Sequence, residues 1–120
     1  MYLNTKTNKE IRRQHAIQAL MEEDERLTLK QAIAHLGEVE RGGKTTEIGL
    51  VDDDKAYLWI PLTAEEYAGL KNVFFEAEGQ TVNFFELMAD NAGDAEVWDW
   101  ALKAKPGDKF PSLFELIRLG

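Results

Sequence analysis

The sequence predicts an α+β domain that is predominantly helical, with five to six short helices packed around one antiparallel β-hairpin. Three observations carry this expectation. Five segments read Ser/Thr/Asn-x-x-Glu/Gln ahead of an apolar run. That is the pattern of a capping box, in which one side chain satisfies a free helix amide and the second reaches back to the cap. Residues 45–60 alternate in hairpin fashion about Asp52-Asp53-Asp54. Elsewhere the apolar residues recur at spacings of three and four. A chain of 120 residues is long enough for one domain, 1–120, with its own core.

In chain order, Thr7-x-x-Glu10 predicts the first helix, with Ile11, Ile17, Leu20 and Met21 as its stripe and an end near Asp24. Thr28-x-x-Gln31 opens a second, carrying Leu29, Ala32, Ile33, Leu36 and Val39 at i, i+3, i+4, i+7 and i+10, and Gly42-Gly43 stops it. In the hairpin, Ile48 and Leu50 lie on the first strand. On the second strand, Ala56, Leu58 and Ile60 face one way while Tyr57 and Trp59 face the other. Apolar residues on both faces predict that this strand sits inside a larger sheet or is covered on both sides.

Thr63-x-x-Glu66 then starts a helix through Tyr67, Leu70, Phe74 and Ala77, closed by Gly79. The stretch from Thr45 to Gly79 thus joins the hairpin to a well-capped helix, and the rest of the chain is expected to pack around it. Asn83-x-x-Glu86 opens a helix with Phe84, Leu87 and Met88 inward, and Gly93 ends it. Asp94 caps another through Ala104, with Val97, Trp98, Ala101 and Leu102 inward and Trp100 at the edge of that face. After a turn at Lys105–Asp108, Ser112-x-x-Glu115 predicts a last helix carrying Leu113, Leu116 and Ile117.

The composition is 44% hydrophobic and 30% charged, which excludes a disordered chain. There is no cysteine, so disulfides, thiolate metal sites and a cysteine nucleophile are excluded. The N-terminal stretch shows no apolar signal region and no apolar run is long enough to span a bilayer, so the expected location is the cytoplasm, with no membrane partner.

The net charge of −8 is unevenly distributed. Residues 1–15 hold Lys6, Lys9, Arg12 and Arg13 against Glu10, whereas residues 45–100 hold thirteen acids against Lys55 and Lys71, a balance of −11. Basic ends flank an acidic waist.

Motifs for catalysis are weak. Gly42-Gly43-Lys44-Thr45-Thr46 resembles the end of a phosphate loop, but the required earlier glycine position is Glu38, and the order is helix to strand rather than strand to helix. An EF-hand read from Asp52 would place Tyr57 and Thr63 where glycine and glutamate belong. His15 and His35 are too few for a zinc site. No HExxH or GxSxG pattern occurs. The chain is therefore read as a non-enzyme without cofactors or metals.

The charge pattern favours a small acidic protein-binding module. Its expected role is that of an inhibitor or competitor that engages a basic partner, such as a nucleic-acid-binding protein, in the way of acidic nucleic-acid mimics. The candidate contact residues are Asp52, Asp53, Asp54, Glu65, Glu66, Glu76, Glu78, Asp90 and Asp94, with Tyr57 and Trp100 as aromatic anchors. Direct binding of nucleic acid is disfavoured by the net charge. The alternatives are a winged-helix-like DNA-binding regulator using Lys9, Arg12, Arg13 and Lys30, and a small carboxylate-dependent enzyme. The sequence alone sets neither the partner's identity nor an oligomeric state.

Overall fold

The structure, a computed structural model, describes residues 1–52, 55–91, 94–111 and 115–120, and the side chains of residues 50–56 lie outside the description. Its contacts divide the chain into two units, Met1–Leu62 and Thr63–Gly120. The expected fold class is corrected. Among the described residues, five α-helices and one 3-10 helix stand beside seven strands in two antiparallel sheets, so the fold is mixed α+β and not a helical body around one hairpin.

In the first unit, Tyr2–Asn4 (β1) and Lys9–Ile11 (β2) form a hairpin, and β2 lies where the first turn of a helix starting at Thr7 was expected. Thr7 caps nothing there. Asn4 Oδ1 accepts from the Lys6 and Thr7 amides at 3.0 and 3.2 Å, and Asn8 takes a left-handed φ of 55°, so the four-residue loop is held by the side chain of the strand residue that precedes it. The first helix begins later, at Arg13–Glu23 (α1), and ends at Asp24 as the acidic run predicted. Leu29–Gly42 (α2) follows with the predicted capping box closed both ways: Thr28 Oγ1 accepts from the Gln31 amide at 3.2 Å, and Gln31 Oε1 accepts from the Thr28 amide at 2.9 Å. Gly43, at φ 66°, ends it in the left-handed conformation.

Thr46–Asp52 (β3) and Lys55–Trp59 (β4) are the predicted hairpin. Its turn residues Asp53 and Asp54 lie outside the described residues. The sheet order is β2-β1-β4-β3, so β4 is a central strand, in keeping with its apolar residues on both faces. Ala16 and Leu20 of α1 and Ala32, Leu36 and Val39 of α2 pack with Tyr2 and Ile48 of the sheet. α1 lies against β3 at Gly49, where a Cβ would stand in ordinary contact with Ala19 Cβ at 3.5 Å.

Across this core Arg13 Nη2 donates to Glu40 Oε1 at 3.0 Å, tying the start of α1 to the end of α2. That bond holds the Glu40 carboxyl below the usual range and raises the Arg13 guanidinium. The Tyr2 ring is buried beside the pair, and its hydroxyl makes no hydrogen bond of regular geometry.

In the second unit, Thr63 caps as predicted. Its Oγ1 accepts from the Glu66 amide at 3.2 Å, and Glu66 accepts from the Thr63 amide at 3.1 Å, which holds the Glu66 carboxyl below its ordinary range. The helix is short, however: Ala64–Ala68 (α3) passes into a 3-10 turn at Gly69–Asn72. Phe74–Ala77 (β5) and Gln80–Asn83 (β6) then form a second-unit hairpin where the expected helix should have run on to Gly79. Gly69 weakens helix propagation, and the β-branched and aromatic run from Val73 to Phe75 favours a strand.

The turn between β5 and β6 is Glu78-Gly79, at φ 52° and 82°, both in the left-handed region that a tight two-residue hairpin requires. A Cβ on Gly79 would meet nothing within 4 Å, so Gly79→Ala tests the backbone alone. It is expected to lower stability by about 1–2 kcal/mol, read as a shift in the urea midpoint.

Phe84–Asp90 (α4) is capped by Asn83, whose Oδ1 accepts from the Glu86 amide at 2.8 Å, and buries Phe84, Leu87 and Met88 as predicted. Gly93, its predicted stop, lies outside the described residues. Ala95–Lys103 (α5) is capped by Asp94 and buries Val97, Trp98 and Ala101. The Lys105–Asp108 turn forms, with the Lys105 amide donating to Asp108 Oδ2 at 2.9 Å. Ser112 and Leu113 of the expected last helix lie outside the described residues, but Leu116 and Ile117 belong to a strand, Leu116–Arg118 (β7). It pairs with β5 and completes a sheet of order β6-β5-β7. No helix among the described residues is long and apolar enough to cross a membrane.

Candidate acidic cleft

The face of the second sheet that carries Phe75 and Ala77 is set by the pairing of β5. Opposite them stand Val82 and Gln80 on β6, and Arg118 and Leu116 on β7. α4 and α5 lay Phe84 and Trp98 against each other, with ring centroids 5.9 Å apart, and Phe84 reaches Phe75 at 6.4 Å. Towards the Glu78-Gly79 turn a cleft of about 270 Å³ remains. Ala77, Val82, Leu87, Val97 and Leu116 make its apolar floor, and Glu78, Asp90 and Glu115 stand on its rim with the amides of Gln80 and Asn91. The Glu78 amide donates to the Glu115 carbonyl at 3.2 Å, which places these two acids side by side although they are far apart in sequence. Asn91 Nδ2 donates to the Leu87 carbonyl at 2.8 Å and so caps the last turn of α4 at the edge of the cleft.

Of the residues singled out from the sequence, the structure brings together Glu78 and Asp90. Glu65, Glu66, Glu76 and Asp94 are exposed but outside the cleft, and Glu66 and Asp94 are engaged as capping groups. Asp53 and Asp54 lie outside the described residues; Asp52 ends β3, and its side chain is likewise undescribed. Trp100 is half-buried, its ring lodged between Phe75 at 5.6 Å and Phe110 at 5.5 Å, and so serves the interior of the second unit. Tyr57 is half-buried on β4 and lines a smaller pocket of about 160 Å³ beside His15, Gln18 and Glu22 of α1.

Glu115 lines the cleft but was not among the residues singled out from the sequence. Its local sequence reads as the end of a capping box, and only the pairing of β7 with β5 carries it to the rim. Among the described residues no group of three His, Cys, Asp or Glu side chains could hold a metal ion, so the three rim acids are spread around the cleft and do not converge on one point. The basic residues of the DNA-binding alternative all belong to the first unit. Lys9 is on β2, Lys30 on α2, Arg12 precedes α1, and Arg13 is bound to Glu40.

Compared with known proteins, the chain matches no family model, no curated protein and no solved structure.

Proposed function

We propose that the protein is an acidic protein-binding module that engages a basic partner, with the cleft of the second unit as its main contact. The observation that carries this reading is the pairing of an apolar floor with a rim of Glu78, Asp90 and Glu115. A lysine or arginine side chain has the matching anatomy, an aliphatic stem below a cationic head. At about 270 Å³ the cleft falls just under the range usual for drug-sized ligands, roughly 300–1,000 Å³, and suits a side chain better than a cofactor. The second unit carries eleven acids against five bases, a net −6, which attracts a positive surface over distance and speeds encounter. A protein surface built to hold nucleic acid has this character, and occupying it would make the protein an inhibitor or competitor.

The test uses a short fluorescent lysine peptide, with binding followed by anisotropy at low and high salt. The triple variant Glu78→Gln, Asp90→Asn, Glu115→Gln is compared with Glu65→Gln, Glu86→Gln, Glu96→Gln, which removes the same charge from exposed positions outside the cleft. The cleft variant is expected to weaken binding by about tenfold or more, corresponding to loss of close charge pairs, and the control by clearly less. Equal weakening by both variants would reduce the acids to a diffuse field and overturn the reading.

A further inference from the structure

The second sheet has two outer strands, and they differ. The far side of β7 is occupied by the chain at 108–110: the Phe110 amide donates to the Leu116 carbonyl at 2.9 Å, the Arg118 amide donates to the Asp108 carbonyl at 2.9 Å, and Lys109 bridges Ile117. The far side of β6 has no strand beside it among the described residues. Its register shows which backbone groups are free. Ala77 and Gln80 flank the two-residue turn and form a hydrogen-bonded pair, so the backbone groups of Gln80 and Val82 face β5 while the N–H and C=O of Thr81 face outward. Gln80 and Val82 also line the acidic cleft. An open strand edge and the cleft are therefore one continuous surface.

We infer that the partner segment binds as an added antiparallel or parallel strand along β6, in extended form, with lysine or arginine at alternate positions. The inference rests on the proposed acidic-cleft reading and specifies how the partner is held. A strand laid along β6 continues the sheet, so every second side chain falls on the face of Gln80 and Val82, over the cleft and within the field of Glu78 and Asp90. The intervening side chains fall on the face of Thr81 and Glu76, which stand opposite each other, next to the exposed Phe74 ring. Backbone pairing supplies the register, and the acids choose the side chains. A helical basic segment would present its cations at three- and four-residue spacing and leave the Thr81 amide unused. Extended form is thus the distinguishing requirement.

The probes are a fluorescent peptide of alternating lysine and valine and two derivatives, one N-methylated on every lysine nitrogen and the other on every valine nitrogen. N-methylation removes backbone donors while keeping charge and side chains. Only one of the two derivatives is expected to lose affinity, by about tenfold or more, since a strand pairs on one edge only. In the protein, Thr81→Pro removes the outward donor and leaves the donors facing β5 in place. It is expected to weaken the unmodified peptide by a similar factor, with unchanged far-UV circular dichroism. If Thr81→Pro disturbs folding, the two methylated peptides still decide the matter. Equal binding of all three peptides, still weakened by the triple cleft substitution, would overturn strand addition and leave the acidic cleft standing. Indifference to the cleft substitution as well would overturn both.

Discussion

Trp98→Ala is expected to destabilise the second unit by about 3–5 kcal/mol, the largest effect of any substitution considered. Trp98 is among the largest fully buried side chains, at 1% exposure, and it packs edge-on against Phe84 at 5.9 Å and 84°. Phe84 in turn touches Phe75 and Tyr67, so the ring joins α5 to α4 and through it to the sheet. Truncation removes the burial and leaves a space that rigid neighbours fill poorly. The indole Nε1 has no hydrogen-bond partner among the described residues. Trp98→Phe therefore keeps an aromatic contact with Phe84 and deletes an unsatisfied donor, and its expected cost is less than half that of alanine. Urea denaturation followed by far-UV circular dichroism checks both. A phenylalanine variant as unstable as alanine would mean that indole volume, and not ring contact, is what the core requires.

The second large effect belongs to the first unit and to alkaline pH. Burial, and next the Glu40 carboxylate, raise the Tyr2 phenol from its ordinary 10.0 to about 12. The folded state thus holds this proton more tightly than the unfolded chain. Below pH 10 both states are protonated and the contribution is fully present. As pH rises through 10 the unfolded chain ionises first, and stability falls until the folded phenol also ionises near 12. A shift of this size corresponds to roughly 2–3 kcal/mol. Tyr2→Phe is expected to flatten this part of the stability profile and to change stability at neutral pH by less than about 1 kcal/mol, because the hydroxyl lacks a regular hydrogen bond. Urea midpoints of the two proteins between pH 9 and 12 make the comparison; parallel curves would show that the phenol does not carry the alkaline loss.

The parts of this fold that were legible beforehand are those decided within a few residues. Thr28, Thr63, Asn83 and Asp94 cap as expected, because a side chain reaching an amide two or three residues on needs no tertiary support. The inward faces of α4 and α5 follow the same logic, since helical spacing fixes which side chains share a side. Thr7 shows the limit. The same pattern that caps α2 lies in a hairpin loop here, because Asn4 organises that loop and Ile11 is taken by pairing with Tyr2. The run from Tyr67 to Ala77 shows it again: its spacing reads as one helix, yet β5 is claimed by partners on both sides.

The cleft divides along the same line. Its charge was visible in the acidic waist, and Glu78 and Asp90 were among the residues chosen for that reason. The arrangement was not visible, because it depends on β7 crossing to β5 and setting the Glu115 carbonyl on the Glu78 amide. The sequence by itself determined the helix starts at Thr28, Thr63, Asn83 and Asp94, the central hairpin, the inward faces of α4 and α5 and the sign of the electrostatic field, all of which are local or additive properties. Only the tertiary structure decided which short segments become strands, which acids share a rim and which strand edge stays open. A three- or four-residue strand has too few neighbours of its own to choose its conformation, and pairing with distant chain supplies the hydrogen bonds that choose it.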